Sequence, residues 1–231
     1  MVRKTQAKAA PVRAGSALGR QFVAIEGPIG VGKTSLARRL ADVFGAEPLL
    51  EVPEENPFLP RFYEDRRHFA LSTQLFFLFQ RRQMLERLRQ ADLFHASVIS
   101  DFLWAKDRVF ARITLNDDEW RLYEQVAGAA EGDIPAPELV IFLQAPIEIL
   151  FERIRRRGRQ YERIDRDYLA EVAAAYTDFF HGYQESPLLI INAAEVNFVE
   201  SDEDLRFLVD YLDNVHSGRH FFNPLPSGLA G

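Results

Sequence analysis

Cysteine is absent from the 231 residues. That excludes disulfides and thiolate metal sites, and it leaves the cellular compartment open. Histidine is scarce: five residues, with no ligand spacing among them. No apolar run approaches the roughly 20 residues of a membrane-spanning helix, so no membrane partner is expected. An excess of positive charge is missing too. The 28 Lys and Arg stand against 34 Asp and Glu, a net charge of −6, which disfavours a general nucleic-acid binder. Residues 1–20 hold Arg3, Lys4, Lys8, Arg13 and Arg20 without an acid. They lack the apolar segment of a secretory signal. A transit peptide is one reading; a disordered basic tail fits the composition better, and a cytoplasmic location is expected.

What the chain does have is Gly27-Pro28-Ile29-Gly30-Val31-Gly32-Lys33-Thr34. An apolar run, Phe22 to Ile25, precedes it, and a helical pattern, Leu36, Leu40, Val43 and Phe44, follows. This is G-x-x-x-x-G-K-T between a strand and a helix. Gly27, Gly30 and Gly32 let backbone wrap a phosphate without Cβ clashes. The loop N–H groups and the helix N-terminus meet the anion. Lys33 reaches the β/γ-phosphates, and Thr34 ligates Mg²⁺. The spacing predicts a site for a nucleoside triphosphate.

Strand and helix patterns alternate along the chain. Strands are expected at 21–26, 49–52, 97–100, 139–143 and 188–191. Helices are expected between them, including a long one over 68–91 with Phe69, Leu75, Phe76, Phe79 and Met84 near its apolar face. This predicts an α/β, doubly wound parallel sheet of five strands flanked by helices. The expected domain is residues 21–214, followed by an irregular tail from 215. Ligands in such a sheet sit beyond the strand C-termini, where the phosphate loop, Glu51 and Asp101 fall. Asp101, directly after the third strand, suits a second Mg²⁺ carboxylate. Glu51 suits acceptance of a proton from a substrate hydroxyl, with Glu54 and Glu55 as competitors. Arg153, Arg155, Arg156, Arg157 and Arg159 crowd around Gly158. Their charge at a helix end has a structural explanation, but phosphoryl transfer needs such cations over the moving group, and Arg157-Gly158-Arg159 suits a mobile lid.

These residues together resemble the deoxynucleoside kinase family, over about residues 22–200. Glu51 with Asn56-Pro57-Phe58-Leu59 and Phe62-Tyr63 is similar to the family's catalytic glutamate segment. Gln74 and Arg81 resemble the pair that reads the base, Tyr63 the tyrosine at the sugar, and Asp107 the aspartate that helps Arg81. The segment from Arg153 to Glu162 resembles the lid, in which Arg153, Arg157 and Arg159 bind phosphates and Glu162 reaches the sugar. The resemblance implies ATP and Mg²⁺ as donor and cofactor, a deoxyribonucleoside 5′-hydroxyl as acceptor, and a homodimer. One position departs: Phe102 stands where the family has arginine. Lys106, four residues on, is expected to share its face and to send its ammonium into the vacated space. A thymidylate-type nucleoside monophosphate kinase and a non-catalytic nucleotide-binding protein are the alternatives.

Overall fold

The computed structural model describes residues 19, 21–90, 97–132, 134–159 and 162–223. The basic segment read as a tail thus lies outside the described residues, Gly19 excepted. A parallel sheet forms the centre, in the strand order β2-β3-β1-β4-β5-β6. β1 (Phe22–Glu26) and β4 (Leu139–Gln144) lie in the middle and are buried almost throughout. Their continuous apolar runs fit strands covered on both faces. β3 (Val98–Ser100) and β5 (Leu188–Asn192) flank them. The helices that cover the sheet are α1 (Lys33–Phe44), α2 (Leu59–Glu64), α3 (Arg66–Gln90), α4 (Lys106–Thr114), α5 (Asp117–Glu131), α6 (Ile147–Arg157), α7 (Arg166–Gly182) and α8 (Asp202–Leu212).

Both edge strands depart from expectation. β2 occupies Glu47–Leu49, earlier than residues 49–52. Its residues are exposed or half-buried, so apolar patterning does not mark it, and a proline is tolerated at a sheet edge. The segment read as an irregular tail supplies a sixth strand, β6 (Arg219–Phe222), parallel to β5. Only Phe222 of that strand is buried, which hides the strand signal. The sheet therefore has six strands rather than five, and the folded unit extends past residue 214.

Helix α3 also buries a different stripe from the aromatic one expected. Ala70, Thr73, Gln74, Leu78, Arg81, Leu85 and Leu88 face inward, while Phe79 is 48% exposed. The spacing is helical, but polar residues occupy the middle of the buried face. Burying such side chains is costly without partners; Gln74 and Arg81 find theirs at the candidate site, whereas the Thr73 hydroxyl, which lines the cavity there, has none among the described residues.

The winding of the chain reverses at β1, with β3 on one side and β4 on the other. A crevice opens beyond the strand ends at such a point. The loops after β1, β2 and β3 all emerge there.

Candidate active site

The loop from Gly27 to Gly32 is pressed against its neighbours. A Cβ on Gly27, whose φ is 148°, would lie 2.4 Å from the Leu143 carbonyl oxygen. One on Gly30, at φ 84°, would lie 2.9 Å from the Leu150 carbonyl oxygen. Only glycine fits either position. The N-terminus of α1 has no side-chain cap, so its N–H groups are open to an anion. Lys33 folds back over the loop and donates to the carbonyls of Gly27 (2.7 Å) and Pro28 (3.2 Å). Burial, with the nearby Lys106 ammonium, lowers its pKa to about 8.

Thr34 donates its hydroxyl to Asp101 Oδ2 at 2.5 Å, and Asp101 Oδ1 accepts the Glu51 N–H at 2.8 Å. Burial, then the Glu51 charge, raises the Asp101 carboxyl above its ordinary range. Asp101 thereby ties the loop after β2 to the start of α1. A second buried carboxylate, Glu26 at the end of β1, makes a similar tie. It accepts from Gly27 N–H (2.9 Å), Leu103 N–H (2.8 Å) and the Tyr176 hydroxyl (2.9 Å). It joins the phosphate loop to the loop that follows β3. Glu26 closes a fully buried strand, an identifiable signal in the sequence; Tyr176, far along the chain, gives none.

Glu51 lies at the centre of a charged knot. Arg81 Nε donates to its Oε1 at 2.5 Å and Lys106 Nζ to its Oε2 at 2.6 Å. Arg81 also pairs with Asp107 and rests over the Phe77 ring, 5.1 Å from its centroid. All four charged groups are nearly inaccessible to solvent. Burial alone would raise the Glu51 pKa, but Arg81, Lys106 and Lys33 outweigh it and hold the group at about 2. Glu51 is therefore an anion at neutral pH. Its competitors are engaged differently: Glu54, which lines the same cavity, pairs with Arg159 at 2.7 Å, and Glu55, outside the lining, accepts from Gln80 at 3.0 Å.

Lys106 reaches Glu51, but not by sharing a helical face with residue 102. Helix α4 begins only at Lys106, and residues 101–105 are not helical. Phe102 turns into a small core with Phe22, Leu85, Leu88 and Val98. An arginine side chain there would bury its charge among apolar groups.

A cavity of about 400 Å³ is lined by Glu51, Tyr63, Gln74, Arg81, Asp101, Lys106 and Glu162. Phe77 and Phe110 add flat apolar walls. Asp107 stays behind Arg81 rather than lining the cavity, and Trp104 is likewise outside the lining. A larger cleft of about 750 Å³ runs past Gly30, Gly32, Arg153, Arg156 and the segment 193–200. Sequence reasoning missed that segment, which carries no charge pattern to mark it. Arg153 bridges the two sides of this cleft, donating to Val31 O (3.1 Å) and Ala193 O (2.9 Å). The two spaces meet at Gly30, Lys33, Thr34, Arg38, Arg157 and Arg159, which line both. Arg157 and Arg159 flank Gly158, the αL residue that ends α6, and both pair with the buried Glu162.

The parallel sheet, the phosphate loop after β1 and the arginines at the end of α6 define a P-loop phosphotransferase. The family model for deoxynucleoside kinases matches residues 23–216. The chain belongs to the deoxynucleoside kinase family. A deoxyguanosine kinase of Bacillus subtilis is 32% identical over 200 residues, covering 84% of this chain and 97% of that one. A deoxyadenosine kinase of Lactobacillus acidophilus is 27% identical over 194 residues, covering 78% and 88%. Among solved structures, deoxyadenosine kinase from M. mycoides with bound dCTP superposes with a TM-score of 0.73 at 21% identity. The match covers 84% of this chain and 100% of that one. Among the described residues, no helix is long and apolar enough to cross a membrane.

Lys106→Ala removes one of the cations that hold Glu51. Arg81 remains, so the fold persists, while turnover is expected to fall roughly 10–100-fold through loss of charge and orientation at Glu51. Lys106→Arg should retain more activity than Lys106→Ala. Steady-state rates of the two purified variants check this; wild-type turnover in Lys106→Ala would remove Lys106 from the site.

Proposed function

We propose that the protein transfers the γ-phosphoryl group of ATP to the 5′-hydroxyl of a deoxyribonucleoside. The observation that carries this reading is the meeting of the two spaces at Lys33, Thr34, Arg157 and Arg159, with the ionised Glu51 on one side only. The larger cleft takes the donor, its phosphates on the Gly27–Lys33 loop. The smaller takes the nucleoside, its base against Gln74 and Arg81 and its sugar near Tyr63 and Glu162.

The donor set also fits Mg²⁺. Thr34 and Asp101 offer one hydroxyl and one carboxylate 2.5 Å apart. Among the described residues no cluster of three or more His, Asp or Glu could cage a metal. A hard cation that takes its other ligands from water and phosphates suits so sparse a set. Bound there, Mg²⁺ supplies neutralisation of phosphate charge.

Glu51 accepts the hydrogen bond of the 5′-hydroxyl and aims its oxygen at the γ-phosphorus. As the new O–P bond forms, the bond to the leaving ADP oxygen breaks, its electron pair stays with ADP, and the hydroxyl proton passes to Glu51. A group with a pKa of about 2 is a weak base. Phosphoryl transfer depends mainly on position and charge stabilisation, so orientation is its larger contribution. Arg157 and Arg159 stabilise the charge on the moving group after exchanging Glu162 for phosphate. Arg153 holds the phosphate loop against the segment after β5 and adds positive charge to the donor cleft.

A nucleoside monophosphate acceptor fits less well. It would bring an anion toward Glu51, where Arg81 and Lys106 are already bound to carboxylates. The contact between Lys106 and Glu51 supports catalysis over mere nucleotide binding despite Phe102. The family resemblance favours a homodimer, and the half-exposed Phe79 on α3 and Leu122 on α5 suit an apolar interface.

The test is a panel of deoxynucleosides and monophosphates, assayed for ADP formation from ATP with Mg²⁺. Turnover on deoxynucleosides, abolished by Lys33→Ala in a folded protein, is expected; turnover on monophosphates alone would overturn the reading. The pH dependence follows from the Lys33 environment. Its folded-state pKa of about 8 means that the ammonium of the ATP-free enzyme loses its proton above that pH. The ratio kcat/KM for ATP reports the free enzyme and should fall along an alkaline limb centred near pH 8. A profile flat to about pH 9.5 would contradict a role for that proton.

A further inference from the structure

The geometry points to Thr114 as the residue that fixes how the enzyme reads a base, an inference that rests on the smaller cavity being the nucleoside site. Thr114, the last residue of α4, donates its hydroxyl proton back to the Phe110 carbonyl at 2.7 Å. This is the i to i−4 bond that a helical threonine makes readily. A hydroxyl has one proton. With that proton committed, the Thr114 oxygen can only accept. The group facing it, at 3.3 Å, is the amide of Gln74. The amide must therefore turn its NH₂ toward Thr114 and its Oε1 the other way. Gln74 is 3% exposed and lines the cavity, and among the described residues nothing donates to its Oε1.

An amide reads a base edge through a neighbouring donor and acceptor. Adenine and cytosine present an amino group beside an unprotonated ring nitrogen. Guanine and thymine present an oxo group beside a ring N–H. The two orders are opposite. An amide free to flip serves both; one locked by Thr114 serves one order fully and leaves the other with a mismatched pair. A mismatch in a buried site strands polar groups, which is costly, and specificity is the difference that results. Thr114 acts through Gln74 and touches no reacting atom, so it is a positioning residue that sets substrate preference.

The experiment compares wild type with Thr114→Val, which keeps the shape and removes the oxygen, and Thr114→Ser, which keeps the oxygen. Thr114→Ala is a second hydroxyl-free variant should the valine protein not fold. Dissociation constants for deoxyadenosine, deoxycytidine, deoxyguanosine and thymidine are measured by calorimetry, with turnover on the same four and KM for ATP. Wild type is expected to favour one edge order over the other. The ratio between the two orders should shrink about tenfold in Thr114→Val, as expected from one buried hydrogen bond. It should hold in Thr114→Ser, and KM for ATP should not move. An unchanged ratio in the valine or alanine protein would overturn the inference, as would equal loss in the serine protein or a wild type indifferent to edge order. If the ratio shifts as stated but no nucleoside is phosphorylated, the base lock stands and the kinase reading fails. If no nucleoside binds at all, both fail.

Discussion

A carboxylate buried as deeply as Glu51 stays ionised only because of the cations packed around it. Arg81 and Lys106 contact its two oxygens, and Lys33 adds a further positive field. These groups come from separate parts of the chain: the loop after β2, helix α3, the first turn of α4 and the first turn of α1. Removing one partner from a buried charged set costs far more than removing an exposed ion pair. The knot thus helps to set the relative position of these elements, alongside other polar contacts such as those from Gln74 to Thr114 and from Gln80 to Glu55. It also explains why α3 tolerates polar side chains along its buried face: Arg81 pairs with Glu51 and Asp107, and Gln74 pairs with Thr114.

The sheet supplies the remaining constraint. Because the winding reverses at β1, the loops after β1 and β3 leave the sheet side by side. Glu26 and Asp101 then fasten them, through Leu103 N–H and the Thr34 hydroxyl respectively. The phosphate loop is fixed from the opposite side by the close approach of Gly27 to β4 and of Gly30 to α6. The same α6 ends at Arg157, with Arg159 just beyond its Gly158 cap, so one helix both packs the loop and leads to the cations that line the two spaces. The larger cleft and the smaller cavity meet where these constraints converge.

Local features of this arrangement were legible in the sequence. The phosphate loop is contiguous, and its glycines announce the backbone they permit. The inner strands are continuous apolar runs. Glu51 was placed beyond a strand end although that strand lies earlier, because the loop still delivers it to the crevice. Contacts that depend on tertiary placement were not legible. Helical spacing predicts that Lys106 shares a face with residue 102, whereas its ammonium reaches Glu51 from a helix that starts only at Lys106, with Phe102 turned into its own core. The bond from Tyr176 to Glu26 joins residues 150 positions apart, and no periodicity marks such a pair. β6 escaped notice because three of its four residues are not buried. The orientation of the Gln74 amide depends on a hydroxyl proton committed elsewhere, which composition and spacing do not encode.

The most direct test of this account is Glu51→Gln, read by both turnover and nucleoside affinity. Glutamine keeps the size of the side chain but removes the charge and the proton acceptor. Positioned acid–base groups typically contribute 10²–10⁴-fold. The expected result is a fall of about that size in kcat, with the nucleoside dissociation constant changed only a few-fold. A variant that turns over near the wild-type rate would contradict the account, because the charged knot would then be scaffold and the reacting hydroxyl would lie elsewhere.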